Sequence, residues 1–450
     1  MSVNQCVKVA LFLGLLVLFY FSFSLSEDVK FKVKGVTNIA TTDENFICVT
    51  LDWWPSNKCD YNQSFNSLKI RLGGSLEDQI IYQFGNQKQC STMKKKDNGL
   101  FGFSVGCLSK KDRMNVKFIF GLNALIGKKN SKEDQLNWKG DWNPNNAISL
   151  MKYTVSKGYN IDSYELGNEL CSEGVSARVD SVQYVKDITK LRHIPNSATH
   201  LASQRQPMPV CNCGPDCHNL SLSMAVRQYH EDTSCLLENI IFSHRESNQR
   251  SFPSTSSGTW VGEFSGAYNN GGKDVSHTFV NGFWYLDQLG MTSTFNHKVY
   301  CRQALIGGNY ALLNTTSFIP NTDYYGALLW HRLMGTNVLS ISHDSSPYLC
   351  TYAHCSKEGS GITLLLINME NSTSFDVKEY HLTPKDGNIQ SDVVFLNGTP
   401  LKLTKSKKIP ELKPKIVDPS SFSPIKVAPH SIVFVQMDDF NALACAPPTK

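Results

Sequence analysis

Over the first three quarters of the chain, short apolar runs alternate with polar, helix-compatible stretches. Phe46–Trp54, Ser67–Leu72, Val116–Leu125 and Ile161–Leu166 are rich in β-branched and aromatic residues and end in polar residues or glycine, which predicts strands. Asn143–Lys157 opens on an Asn/Pro cluster and repeats apolar residues at helical spacing, which predicts a helix; Val179–Leu191 has the same character. Further on, a strand over Gly258–Gly262 leads into Glu263, followed by a helix over Val275–Leu289, a strand over Val299–Ile306 and a helix over Tyr324–Met334. Repeated strand–helix alternation predicts an α/β fold with a parallel sheet, a (β/α)8 TIM-type barrel.

The pattern changes from Asn337 onward. Val338–Ser342, Leu349–His354, Gly361–Met369, Asp392–Leu396 and Ser431–Met437 read as short strands divided by Gly, Pro, Asn and Ser, with no convincing helix among them. This predicts a C-terminal β-sandwich over 337–450, after a barrel over 27–336. The lysine-rich stretch Lys402–Lys415 reads as a solvated loop.

Composition narrows the compartment. Lys8 precedes the apolar run Val9–Phe23, with Ser24 and Ser26 placed for a cut before Glu27, so 1–26 reads as a signal peptide. The run is shorter than the ~20 residues a membrane-spanning helix needs. Fourteen cysteines in 450 residues suit an oxidising compartment with a handful of disulfides. Cleavage would remove Cys6 and leave an odd number, so at least one thiol is expected outside internal pairing. Asn-x-Ser/Thr triplets at Asn62, Asn219, Asn314, Asn371 and Asn397 agree with a secreted, extracellular or cell-wall glycoprotein. A net charge of +5, from 44 basic and 39 acidic residues, excludes a nucleic-acid binder dominated by its charge.

Two glutamates occupy places where chemistry is expected. Glu169 follows a strand in Tyr-Glu-Leu-Gly-Asn-Glu-Leu, and Glu263 ends one in Trp-Val-Gly-Glu-Phe-Ser-Gly. In a barrel the C-terminal strand ends face the active site, so carboxylates distant in sequence converge there. A convergent pair is what glycoside cleavage requires, one carboxyl protonating the leaving oxygen while the other attacks the anomeric carbon. Asn168, beside Glu169, is suited to hydrogen-bond a sugar 2-hydroxyl.

These segments carry a resemblance. DWWPSNKCDY, LKIRLGGSLEDQIIY, FGLNALIGKK, GDWNPNNAISLMKYTVSKGYNIDSYELGNELCSEGVSAR, WVGEFSGAYNNGGKDVSHTF, DYYGALLWHRLMGTNV and EYHLTPKDGNIQSDVVFLNG are similar to the plant heparanase-like proteins of glycoside hydrolase family 79. The resemblance implies a (β/α)8 barrel with a β-sandwich, and retaining β-glucuronidase or endo-β-glucuronidase activity on glucuronic-acid-containing polysaccharides or glycosides. It makes Glu169 the acid/base and Glu263 the nucleophile. It places Asp52, Ser75, Asn168, Tyr268, Asn309 and Tyr310 along the sugar site, Tyr268 and the backbone after it facing the glucuronate carboxylate. It implies no cofactor and no metal, no nucleic-acid partner, and peripheral association with a membrane or cell wall. Such an acid must be protonated at the working pH, so an acidic optimum is expected.

The chain also departs from that family. Only thirteen residues separate Trp54 from Leu68, where a first barrel helix is expected, and Ser109–Arg113 runs into the third strand without a second helix. Between Leu191 and Thr259 neither the Pro-Gly-Gly nor the His-His-x-Tyr strand end of the family is found, so barrel strands five and six are not recognisable and 191–259 reads as aberrant. The same segment holds Cys211, Cys213, Cys217, His218 and Cys235, whose spacing is not that of a standard zinc finger. The alternative reading is therefore a catalytically inactive or unstable relative that at most binds glycans.

Overall fold

The computed structural model of the chain describes residues 28–52, 69–84, 91, 93–97, 102–108, 118–159, 161–170, 177–194, 260–267, 270–359, 361–369, 380–415 and 427–446. The predicted signal peptide and the Cys211–Cys235 segment lie outside these residues, as do the stretches between Trp54 and Leu68 and between Ser109 and Arg113.

Six parallel strands form the first sheet: β1 (Ile47–Asp52), β2 (Lys69–Gly73), β3 (Phe118–Leu122), β4 (Ile161–Leu166), β5 (Trp260–Phe264) and β6 (Val299–Arg302). Their spatial order is β4-β3-β2-β1-β6-β5. The first four neighbour one another in chain order, and β6 returns to pair with β1, setting Tyr300 opposite Ile47. That return is the pairing by which a parallel barrel joins its last strand to its first.

The edge strands β4 and β5 are at opposite ends of this order, yet one side chain touches both. Arg71 on β2 donates from Nε to Glu165 on β4 at 2.6 Å and from Nη1 to Glu263 on β5 at 2.6 Å. In a flat sheet β5 would lie three strand spacings, ~14 Å, from β2, beyond the reach of an arginine. The sheet is therefore curled, with its two edges turned toward each other. Lys69 spans the curl one layer below, with its Nζ 3.4 Å from Asp162 on β4, 3.2 Å from Asp43, and 5.0 Å from the ring centre of Trp260 on β5. Among the described residues this is a curled parallel sheet of six strands, which fits part of a barrel.

Helices cover the outside. α1 (Asn145–Ser156) buries Ala147, Leu150, Met151 and Thr154, and α2 (Ser181–Arg192) buries Tyr184, Asp187, Ile188 and Leu191. Both sets follow the three-and-four spacing of a single face. Asp180 caps α2, its Oδ1 accepting from the backbone N–H of Val182 at 3.0 Å and of Gln183 at 3.3 Å. α3 (Phe279–Thr294) is buried along nearly its whole length, because with α4 (Thr322–Leu333) it fills the space between the curled sheet and a second sheet.

The second sheet is antiparallel and has nine strands. It contains β7 (Met334–Ser342), β8 (Leu349–Ser356), β9 (Ile362–Asn368), β10 (Tyr380–Pro384), β11 (Val394–Leu396), β12 (Ser431–Met437) and Thr399–Pro400. Two short N-terminal strands also join it: Lys32–Lys34 and Ala40–Thr41 both pair with β7. Where a sandwich is expected, the described strands thus make one sheet with a core on each face. Leu365, Ile367, Ile432 and Phe434 pack toward α3 and α4, while the alternate Leu364, Leu366, Val433 and Val435 pack with Phe31, Val33 and Phe440. Disulfides tie Cys48 of β1 to Cys301 of β6 and Cys355 of β8 to Cys445. Cys350 is a buried thiol that hydrogen-bonds Asp287 of α3. Among the described residues no helix is long and apolar enough to cross a membrane.

Two predictions follow from this packing. His354 of β8 is fully buried, with Nδ1 2.7 Å from the Gly335 carbonyl and Nε2 3.0 Å from the Ser293 hydroxyl. Burial pushes its pKa down to about 4, so the neutral ring stabilises the fold above the ordinary value near 6.5, and that contribution is lost as pH falls toward 4. The stability advantage of the wild type over His354→Gln should shrink by ~3 kcal/mol between pH 6.5 and pH 4, read from urea denaturation at each pH. A constant difference would show that His354 does not titrate on unfolding. Arg71→Met leaves two carboxylates beside an apolar side chain and should cost ~3–5 kcal/mol in the same measurement at neutral pH. A cost near zero would mean that the curl does not depend on the guanidinium.

Candidate active site

β2 supplies the centre of the site through an inverted pattern. Its alternate residues Lys69, Arg71 and Gly73 are buried inside the curl, while Ile70 and Leu72 pack outward against the surrounding apolar clusters. Arg71 uses its donors on three groups. Nε and Nη2 form a fork with the Glu165 carboxylate at 2.6 and 2.8 Å, Nη1 reaches Glu263, and Nη2 donates to Asn168 Oδ1 at 2.7 Å. Burial works against the Arg71 charge, and Glu165 and Glu263 more than offset it, holding the guanidinium firmly protonated.

Asn168 and Glu169 follow β4 after a single glycine, Gly167. Asn168 is buried, its Nδ2 donating to Ser75 Oγ at 3.2 Å and its backbone N–H to Asp78 Oδ2 at 3.1 Å. It sits between two residues in the left-handed region, Gly167 at φ 72° and Glu169 at φ 51°. For glutamate that conformation is uncommon and is held by surrounding contacts. Gly167 has no alternative, since a Cβ there would come within 2.3 Å of Leu170 Cδ1. Glu169 is half-buried.

On the opposite edge, Glu263 lies one residue before the end of β5. Besides Arg71, it accepts from Gln303 Nε2 at 2.5 Å, while the Gln303 backbone N–H donates to the Phe264 carbonyl at 2.9 Å. Asn309 joins the loops after β5 and β6: its backbone N–H donates to Asn270 O at 2.7 Å and its Nδ2 to Gly271 O at 3.1 Å. Tyr310 is buried, and its carbonyl accepts from Arg302 Nη2 at 2.8 Å. Arg302 also pairs with Asp323 of α4 at 3.0 Å and lies 5.1 Å from the ring centres of Trp284 and Tyr285.

The turn Ser75–Gln79 after β2 adds two buried acids, Glu77 and Asp78. Glu77 enters space left by glycines, since a Cβ on Gly121 would stand 1.5 Å from its Oε2 and one on Gly73 2.8 Å from it. Among the described residues neither Glu77 oxygen has a hydrogen-bond partner. Burial, then the nearby Glu165 and Asp78, push its carboxyl well above the usual range. Burial likewise pushes Asp78 up to about 7, although the backbone N–H groups of Ala124 and Asn168 pull it back.

Of the residues expected at the site, Glu263 and Asn168 meet at Arg71, Ser75 joins them through the Asn168 side chain, and Glu169 is in the turn that carries Asn168. Asn309 and Tyr310 sit on the loop after β6, linked to the loop after β5. Asp52 is the last residue of β1, paired in register with Gly73, and its side chain lies outside the described residues, as does all of Tyr268. Arg71, Glu165, Gln303, Glu77 and Asp78 were not singled out from sequence. The legible signal was two cations alternating with apolar residues in Leu-Lys-Ile-Arg-Leu. Among the predicted glycosylation positions Asn314 is exposed, whereas Asn397 is half-buried, its Oδ1 accepting from His381 N at 2.9 Å and its Nδ2 donating to Lys413 O at 3.1 Å. Asn62, Asn219 and Asn371 lie outside the described residues. Among the described residues no group of three or more His, Cys, Asp or Glu is arranged to hold a metal ion.

Comparison with known proteins shows the family and the fold. Heparanase-like protein 2 of Arabidopsis thaliana is 39% identical, covering 92% of this chain and 94% of its own length. That alignment runs over 520 positions, more than the 450 residues of this chain, so the relative holds blocks that are missing here. Baicalin-beta-D-glucuronidase of Scutellaria baicalensis is 34% identical over 89% of this chain and 90% of its own. The crystal structure of a 4-O-alpha-L-rhamnosyl-beta-D-glucuronidase from Fusarium oxysporum matches with TM-score 0.58 at 15% identity, covering 92% of this chain and all of that one, a likeness of barrel fold. The family model described as Glycosyl hydrolase family 79, N-terminal domain, matches residues 28–64, 62–217 and 228–290, breaking at 218–227 inside the segment that reads as aberrant. The chain belongs to glycosyl hydrolase family 79.

Proposed function

We propose that the protein is a secreted, retaining β-glucuronidase acting on glucuronic-acid-containing glycans by double displacement. The observation that carries this reading is the single guanidinium of Arg71, bonded both to Glu263 of β5 and to Asn168, which precedes Glu169 after β4. Glu263 and the residue next to Glu169 thereby share one fixed group on one rim of the curled sheet. Glu263, oriented by Arg71 and Gln303, attacks the anomeric carbon, and Glu169 protonates the departing oxygen. Once the sugar is esterified to Glu263, Glu169 takes a proton from water, which attacks from the same side and restores the β configuration. A glucuronoside as substrate is supported by relatives whose names include a β-D-glucuronidase and heparanases. Secretion to the extracellular space or cell wall, with peripheral association, rests on the Lys8–Phe23 run and on the disulfides.

A second reading, a relative that binds glycan without cleaving it, is favoured by the sheet edges. Among the described residues β4 pairs only with β3, and β5 only with β6.

One assay decides between them. The wild type should release the aglycone of an aryl β-glucuronide together with glucuronic acid that appears first as the β-anomer by NMR, and Glu263→Ala should lower the rate by at least ~1000-fold. Because Glu169 must begin protonated, kcat/KM should fall as pH rises past neutrality. Equal signals from wild type and Glu263→Ala would sink the enzyme reading. Initial α-anomer would exclude retention, and a rate climbing steadily to about pH 8 would exclude this cycle.

A further inference from the structure

The carboxyl of Asp78 ties together the ends of two adjacent parallel strands. Asp78 lies in the turn after β2 and is 4% exposed. Its Oδ1 accepts from the backbone N–H of Ala124, two residues past β3, at 2.8 Å. Its Oδ2 accepts from the backbone N–H of Asn168, two residues past β4, at 3.1 Å. Regular pairing of these strands runs to Leu122 and Leu166 and continues with Gly167 N–H donating to Leu122 O at 2.8 Å. Beyond that point the backbone of one strand no longer meets the backbone of the other, and a side chain from β2's turn takes over.

The bond to Asn168 falls at the position with the least local support. Gly167 and Glu169, on either side, are both left-handed, so the N–H between them belongs to no regular ladder. The side chain of the same Asn168 is held from two directions, by Arg71 at 2.7 Å and Ser75 at 3.2 Å. Backbone and side chain of one residue are therefore both fixed, and the left-handed Glu169 that follows has its starting direction set.

We propose that Asp78 is the positioning residue for Glu169, clamping the Gly167–Glu169 turn so that the acid/base carboxyl faces the glycosidic oxygen. This rests on the glycosidase reading of the site. Asp78 acts through the backbone of Asn168, so its loss removes acid/base assistance and leaves the Glu263–Arg71–Gln303 arrangement in place. Asparagine at 78 has one acceptor oxygen and must turn its NH2 toward one of the two N–H donors, which breaks one arm of the clamp.

The test compares Asp78→Asn, in the full chain, with wild type and with Asp180→Ala, which loses the α2 cap and serves as a stability control. Backbone hydrogen exchange, which needs no activity, should speed up at least ~10-fold in peptides covering Ala124 and Asn168 for Asp78→Asn only. On 2,4-dinitrophenyl β-glucuronide, whose leaving group needs no proton, kcat/KM should stay within about threefold of wild type. On phenyl β-glucuronide it should fall ~100-fold, the scale expected for a displaced catalytic group. Azide should raise kcat on the dinitrophenyl substrate by supplying a nucleophile that needs no base. If Asp78→Asn does not fold, Asp78→Glu, which moves the carboxyl by one methylene, should show the same split. Equal losses on both substrates, or unchanged exchange at Asn168, would overturn the proposal. Faster exchange in a protein whose wild type cleaves neither substrate would overturn the glycosidase reading and leave the clamp as a purely structural contact.

Discussion

A buried guanidinium with carboxylates from both edges of one sheet is the constraint on which this molecule turns. Removing an arginine from water costs several kcal/mol unless its donors are met in good geometry. Arg71 meets that demand with a fork to Glu165 on β4, a bond to Glu263 on β5 and another to Asn168. Because β4 and β5 end the strand order on opposite sides, these bonds form only when the sheet is rolled. Closure and site geometry are thus one interaction. Lys69 makes a similar connection one layer down, to Asp162 and the face of Trp260.

The layer above the guanidinium is shaped by what is missing. Gly73 and Gly121 carry no side chain, and Glu77 occupies the room they leave. An ionised Glu77 would add a further negative charge beside Glu165 and Asp78 with no hydrogen bond from any described residue, and burial together with these neighbours pushes its carboxyl well above the usual range. The interior therefore combines one firmly charged arginine, two carboxyl groups bonded to it and a third, unbonded carboxyl whose ionisation is disfavoured. Outside, the apolar faces of α1 and α2 seal one side, and α3 seals the other by packing against both sheets at once.

Much of the fold was legible in the sequence. Ile161–Leu166 and Ser431–Met437 are strands with the bounds that their alternation predicts, and each of the six described parallel strands overlaps a segment read as a strand. The misses have physical causes. The helix expected to stop at Leu289 runs on to Thr294, because Gly290 is there for close packing and does not end the helix: a Cβ on it would lie 2.2 Å from the ring of Tyr352. At its other end Val275–Thr278 folds back on Gly272 and is not yet helical. Lys32–Lys34 is three residues long and mostly charged, so nothing local marks it as a strand; its partner three hundred residues away does. Glu169 and Glu263 stood out because each carboxylate comes at or just after the end of an apolar strand. Arg71 was not, because hydropathy assigns the apolar face of a strand to the interior, whereas in β2 that face meets the helices and the polar face lines the curl.

A barrel of eight strands is ordinarily filled by layers of Val, Ile and Leu, and its active residues are positioned by hydrogen-bond continuity around the whole circumference. Here the two sides of the candidate site are coupled by a shorter route. Asn168 and Glu263 are each one hydrogen bond from the same planar group, whose fork geometry fixes angle as well as distance. Their relative placement is therefore set by Arg71 and does not have to be transmitted through the residues between β4 and β5. Glu165 supports the same end, since its bidentate bond fixes the plane of the guanidinium against the strand from which Asn168 emerges. A chain shorter than its relatives can in this way hold Asn168 and Glu263 in a fixed relation through one side chain.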